Sequence, residues 1–108
     1  MRKILSFVLA AFILLSPISV WAQEGMILSP TQDFYVNDFA GILDNQTKQY
    51  IMQQSIKLNE LSGAQVVIVT VDSTGDIPLE EYSLDILREW GIGSEDKNNG
   101  VLILLEVE

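Results

Sequence analysis

The stretch that most constrains this chain is Gly63 to Asp72, read Gly-Ala-Gln-Val-Val-Ile-Val-Thr-Val-Asp. Val66 to Val69 is an unbroken β-branched run, and Thr70 and Val71 continue it. Such side chains are stiff at χ1 and pack well on a pleated surface, so the run favours a strand. It does not alternate apolar with polar residues, which is the pattern of a central strand covered on both faces by helices. A second apolar run, Val101 to Val107, follows after one intervening helical stretch. Strand, helix, strand predicts a βαβ unit with parallel strands and a right-handed crossover.

The helices are legible from their ends. Asp44 is a good N-cap, Asn45 to Leu61 holds no Gly or Pro, and Ser62-Gly63 supplies a stop. The apolar stripe of this first helix is weak, with Ser55 standing where a larger residue is expected. The second helix opens at Pro78 with Glu80 and Glu81 in its first turn. Leu79, Tyr82, Ile86, Leu87 and Trp90 recur at helical spacing and give it a clear apolar face, and Gly91 ends it. Trp90 reads as a core anchor.

The first residues concern address. Met1-Arg2-Lys3 is a basic start, Ile4 to Leu15 is apolar, Ser16-Pro17 breaks the run, and Val20-Trp21-Ala22 suits a signal peptidase. Residues 1–22 therefore read as a secretory signal peptide cleaved between Ala22 and Gln23, the apolar run being short of the roughly 20 residues of a bilayer span. Residues 23–34, with Gly25 and Pro30 and no period, read as a flexible N-terminal segment. The domain proper is expected over residues 35–108, with no transmembrane segment in the mature part. Export places the chain in the periplasm, at the cell envelope or outside the cell.

The sequence holds no Cys and no His. That removes disulfides, thiolate or imidazole metal sites and His-dependent triads. The formal charge is −9, and losing Arg2 and Lys3 with the signal makes it two units more negative. Lys48, Lys57, Arg88 and Lys97 form no basic stripe, so nucleic acid is excluded as a partner. Divalent cations or basic partners complement this charge. No glycine-rich loop matches a phosphate-binding fingerprint.

Carboxylate and amide chemistry remains. Asp72 ends the first apolar strand, where open parallel sheets bind ligands. A strand-terminal Asp suits a carboxylate nucleophile, yet position 74 is Thr where aspartyl-phosphate enzymes place a second Asp, and no Lys is near. The loop Glu95 to Asn99 has closely spaced oxygen donors but fails the EF-hand pattern, since the fifth and sixth positions from Asp96 are Gly100 and Val101. A Ca2+ or Mg2+ site must therefore be assembled from separate segments, with Asp38, Asp72, Asp76, Asp96 and Asn99 as candidates.

Four motifs then add up. Val36-Asn37-Asp38-Phe39-Ala40-Gly41-Ile42-Leu43, Gly63 to Val71, Trp90-Gly91-Ile92-Gly93 and Lys97-Asn98-Asn99-Gly100-Val101-Leu102 together closely resemble the TPM-domain family, in order and spacing, over Tyr35 to Glu108. The resemblance implies an α/β fold, a three-layer α/β/α sandwich whose central βαβ unit sits in a mixed sheet. It also implies exported proteins, some described as acid phosphatases, others binding calcium or magnesium, often beside a membrane. Members continue past the second strand, so the domain is expected to be truncated. The resemblance carries over Asp38 and Asn99-Gly100; with Asp72, taken from its place at the strand end, Asp38 and Asn99 are the metal-ligand candidates, Asn37, Gly41, Trp90, Gly91, Gly93 and Gly100 are further motif positions, and no catalytic residue is assigned. The functional expectation is a module binding a divalent cation or a membrane-protein or other envelope partner, the alternative a phosphatase-like hydrolase.

Two parallel strands and two helices make a poor independent core, and the second strand is an apolar edge. The mature chain is therefore expected to aggregate or fold only in part. Calorimetry would reveal this as a broad, low-enthalpy transition, and a sharp cooperative melt of a monomer would contradict it.

Overall fold

The computed structural model describes residues 28–108. The expected signal peptide, its cleavage site at Ala22 and Gln23 and the start of the N-terminal segment lie outside the described residues. The elements run β1 (Val36–Asp38), α1 (Asn45–Ser62), β2 (Gln65–Val71), α2 (Leu79–Glu89) and β3 (Gly100–Glu106). No described helix is long and apolar enough to cross a membrane.

The three strands form one sheet in the order β1-β2-β3. The β-branched run is therefore the middle strand, as its composition predicts. Val36 pairs with Ile68 on one side of the sheet, and Gln65 to Val71 pairs with Gly100 to Glu106 on the other. Both pairings are parallel, so the described sheet is not mixed as the resemblance implied. The reason is mechanical: each connection contains a helix that returns the chain to the starting end, and the next strand must run the same way. β1 is also a strand that periodicity does not announce, being three residues long with Asn-Asp inside it.

The core lies on one face of β2. Val67 and Val69 are wholly buried there, with Val71 beside them, against Tyr82 and Ile86 of α2. Phe34, Trp90, Leu102 and Leu104 close the edges. Each fully buried aliphatic of this kind contributes about 1.5–3 kcal/mol. The opposite face of β2, carrying Val66, Ile68 and Thr70, belongs to α1, which lies against β1 and β2 and not β3. Ser55 now has its reason. It is the one buried residue of α1, and its hydroxyl donates to the Val66 carbonyl at 3.2 Å. A larger side chain would push the helix off the strand.

Since α1 stops short of β3, the residues of β3 on that face are uncovered. Val101, Ile103 and Leu105 are each about half exposed, at 50%, 51% and 48%. The apolar run of β3 thus looks like a doubly covered strand but is covered only by α2.

Both helix stops and starts follow the sequence signals. The Asp44 carboxylate accepts from the Thr47 N–H at 2.7 Å, and Gly63 takes φ 73° while its N–H donates to Asn59. α2 has no side-chain cap, only Pro78 ahead of it and the two first-turn carboxylates.

The start of β3 is set by two glycines pressed together. A Cβ on Gly100 would meet the Ile92 carbonyl and, at 2.8 Å, the Gly93 nitrogen, while Gly93 itself sits at φ 81° against the Gly100 backbone. Gly41 also has positive φ but open space around it. Replacing Gly41 by Ala should therefore cost only the left-handed conformational penalty, about 1 kcal/mol. Gly100→Ala must move backbone and should cost about 3 kcal/mol or more. Urea midpoints of the two variants check the contrast.

Candidate functional site at the carboxyl ends of the strands

Three strands end on the same edge, and the chain places Asp38, Thr70, Asp72, Thr74 and Glu106 there. Asp38 closes β1 opposite Thr70. Its side chain is 3% exposed. Oδ1 accepts from the Thr70 hydroxyl at 2.6 Å and the Ile42 N–H at 3.0 Å, and Oδ2 accepts from the Leu43 N–H at 3.1 Å. Lys48 Nζ lies 3.5 Å from Oδ2. Thr70 in turn accepts from the Ala40 N–H at 3.2 Å.

These contacts decide the protonation of Asp38. Burial pushes its pKa up, but the hydrogen bonds from Thr70, Leu43, Ile42 and Lys48 together outweigh burial and hold the carboxyl below its ordinary 3.8. The carboxylate is therefore ionised and saturated with donors. It organises the turn from β1 into α1, and both oxygens are already engaged.

Asp72 shares this edge but is exposed, and its carbonyl accepts from the Glu108 N–H. Asp76 is exposed in the loop that follows. The polar anchor of that loop is one that sequence reasoning missed. Glu106, at the end of β3, accepts from the buried Thr74 twice, from its N–H at 3.1 Å and its hydroxyl at 2.7 Å. The signal available was faint: a Glu following a purely apolar run, 32 residues from its partner.

Asn99 lies at the other end of the sheet. It precedes Gly100, which pairs with Gln65 at the amino end of β2. At about 3.3 Å per residue it is roughly 20 Å or more from Asp38 and Asp72. Its side chain is spent locally, accepting from the Ser94 N–H at 2.7 Å and donating to the Gly63 carbonyl at 3.1 Å. Asp96 sits in the loop at this same end. Asp38, Asp72 and Asn99 therefore do not form one metal centre, and no three acidic side chains among the described residues converge to hold an ion.

The remaining motif residues serve the backbone. Asn37 is wholly buried, its Oδ1 accepting from the Thr31 N–H at 2.7 Å and its Nδ2 donating to the Phe34 carbonyl at 2.6 Å. It clasps residues 31–34 to the sheet. Trp90 packs beside the core, and its indole N–H donates to the Leu28 carbonyl at 2.8 Å. Gly91, at φ 62°, lets the chain leave α2. A shallow cavity of about 410 Å³ lies at the amino end, lined by Leu87, Arg88, Gly93 and Glu95 among others.

Comparison with known proteins fits this architecture. A family model described as the TPM domain matches residues 36–108. The chain belongs to the TPM domain family. Among solved structures, the chain is similar to the N-terminal domain of a protein from P. gingivalis, determined in solution by NMR. The two share 33% identity with a TM-score of 0.62, over 69% of this chain and 48% of that one. The chain thus spans about half the length of that structure. No curated protein matches the chain.

For this TPM domain, Asp38→Asn should cost about 2–3 kcal/mol, because an amide cannot accept from all the donors that face it. A carboxyl whose folded pKa is depressed adds stability that is present above the unfolded pKa and is lost as pH falls through the folded value. Stability of the parent should therefore fall as pH drops below about 4, and the Asp38→Asn variant should show a flatter profile. Asp44 is also held low, by Thr47, so the comparison is best made in an Asp44→Asn background, with urea unfolding measured from pH 6 to pH 3.

Proposed function

We propose that this TPM domain is a binding module rather than a catalyst, working at the cell envelope on a divalent cation or a membrane-protein partner. The observation that carries this reading is the state of Asp38. The one carboxylate of the shared motif that is buried at the carboxyl edge is saturated by Thr70, Ile42, Leu43 and Lys48. A nucleophile or general base needs a free lone pair within reach of its target, and this group has given its lone pairs to the fold.

Cation binding then falls to the exposed carboxylates of the same edge, Asp72 and Asp76, in a mature chain rich in negative charge. Hard oxygen ligands of that kind suit Ca2+ or Mg2+ and need help from solvent or from a partner to complete a coordination shell. The half-exposed aliphatic row of β3 supports the partner half of the reading, since apolar surface on an edge strand suits protein contact.

The competing reading is phosphomonoester hydrolysis with Asp72 as nucleophile. It rests on the position of Asp72 beyond the central parallel strand. Calorimetric titration of Ca2+ and Mg2+, run beside a phosphomonoester assay, separates the two. The expected result is saturable heat that weakens in Asp72→Asn, with no turnover. Metal-dependent turnover that disappears in Asp72→Asn while the circular dichroism is unchanged would replace the binding reading with the hydrolytic one.

A further inference from the structure

We propose that Asn99-Gly100 is a deamidation site guarded by the native fold, so that opening of the β3 start is recorded as a permanent new charge. An Asn followed by Gly is prone to this chemistry because Gly has no Cβ to shield its nitrogen. The Gly100 nitrogen attacks Asn99 Cγ, the Cγ–Nδ2 bond breaks, and ammonia leaves. Water then opens the cyclic imide at either carbonyl, leaving Asp or its β-linked isomer at position 99. The net change is one water consumed and one ammonia released, and no other reactant is needed.

The fold opposes each movement this requires. Ring closure swings the Asn99 amide onto the following nitrogen. In the native chain that amide is held at both ends, by the Ser94 N–H on Oδ1 and the Gly63 carbonyl on Nδ2. The Asn99 carbonyl is also fixed, accepting from the Gln65 N–H at 3.0 Å. The Gly100 nitrogen is backed against Gly93 with no room for even a Cβ between them. Asn98, one residue earlier, is exposed.

The product would undo the junction. A carboxylate at position 99 cannot donate to the Gly63 carbonyl, and it places negative charge beside the end of α1, where the macrodipole is already negative. Asn99 bridges the turn from α1 into β2, the loop after α2 and the first residue of β3. Local opening of such a junction costs less than global unfolding, so the reaction would sample it.

The test is peptide mapping by mass spectrometry of the full chain held at mildly alkaline pH, folded and in urea, with Asn98 as the internal standard. In urea the rate at Asn99 should far exceed that at Asn98. In the folded chain the ratio should fall by about tenfold or more, the effect of two ordinary hydrogen bonds kept through the reaction. A ratio unchanged by folding overturns the proposal. The consequence is read separately in Asn99→Asp, whose urea midpoint should lie below that of the parent; an equal midpoint overturns the claim that the product weakens the junction.

Discussion

The fold depends on β2 being covered on both faces and both sides, and its two faces demand different cover. Val67, Val69 and Val71 need only apolar company, which α2 and the segment around Phe34 supply. Thr70 faces the other way, is 1% exposed, and carries a hydroxyl that cannot be left alone in the interior. Its partner is Asp38. Burying that carboxylate is tolerable only if it stays ionised and fully bonded, which brings in the Ile42 and Leu43 amides and Lys48. A single hydroxyl on the central strand thus dictates the path of the chain from β1 into α1. The Asn-Asp pair of the first motif divides this labour, Asn37 holding the segment before the strand and Asp38 the turn after it.

β3 is pinned at both ends by contacts that tolerate no slip. At its start, Gly93 and Gly100 touch backbone to backbone, and only residues without side chains allow that approach. At its end, Glu106 reaches across to Thr74. A one-residue shift would break both and would turn Leu102 and Leu104 away from the core. The uncovered row of Val101, Ile103 and Leu105 is therefore a consequence of a firmly set register and of the reach of α1. It does not come from loose pairing.

What was legible in the sequence follows from how local each signal is. The helices are announced by Asp44, Gly63, Pro78 and Gly91, all within a turn of the ends they define, and β2 by a run of β-branched residues. β1 is too short to show a period, and its two polar residues read as a loop until their partners are known. The side-chain pairings at the carboxyl edge, Asp38 with Thr70 and Glu106 with Thr74, each span 32 residues, beyond any pattern of spacing. Asn99 is a different case. The parallel βαβ reading already implied that a residue before the second strand lies at the amino end, whereas Asp72, after the first, lies at the carboxyl end. The parallel pairing of β2 with β3 therefore holds Asp72 and Asn99 at opposite ends of the sheet, too far apart to share an ion.

The distribution of carboxylates bears on what such a domain can do. Asp38 is buried, ionised and bonded on both oxygens, so its negative charge is neutralised in place and adds little to the field outside. Asp72 and Asp76 are exposed on the edge where parallel sheets present ligands, but solvent screens them and no cluster of three acidic side chains forms among the described residues. Strong chemistry needs groups whose environments drive their proton affinities apart. Here the contacts that hold the Asp38 carboxyl low also occupy both of its oxygens. The proposed binding role rests on that edge of exposed carboxylates together with the adjoining half-exposed aliphatic face of β3.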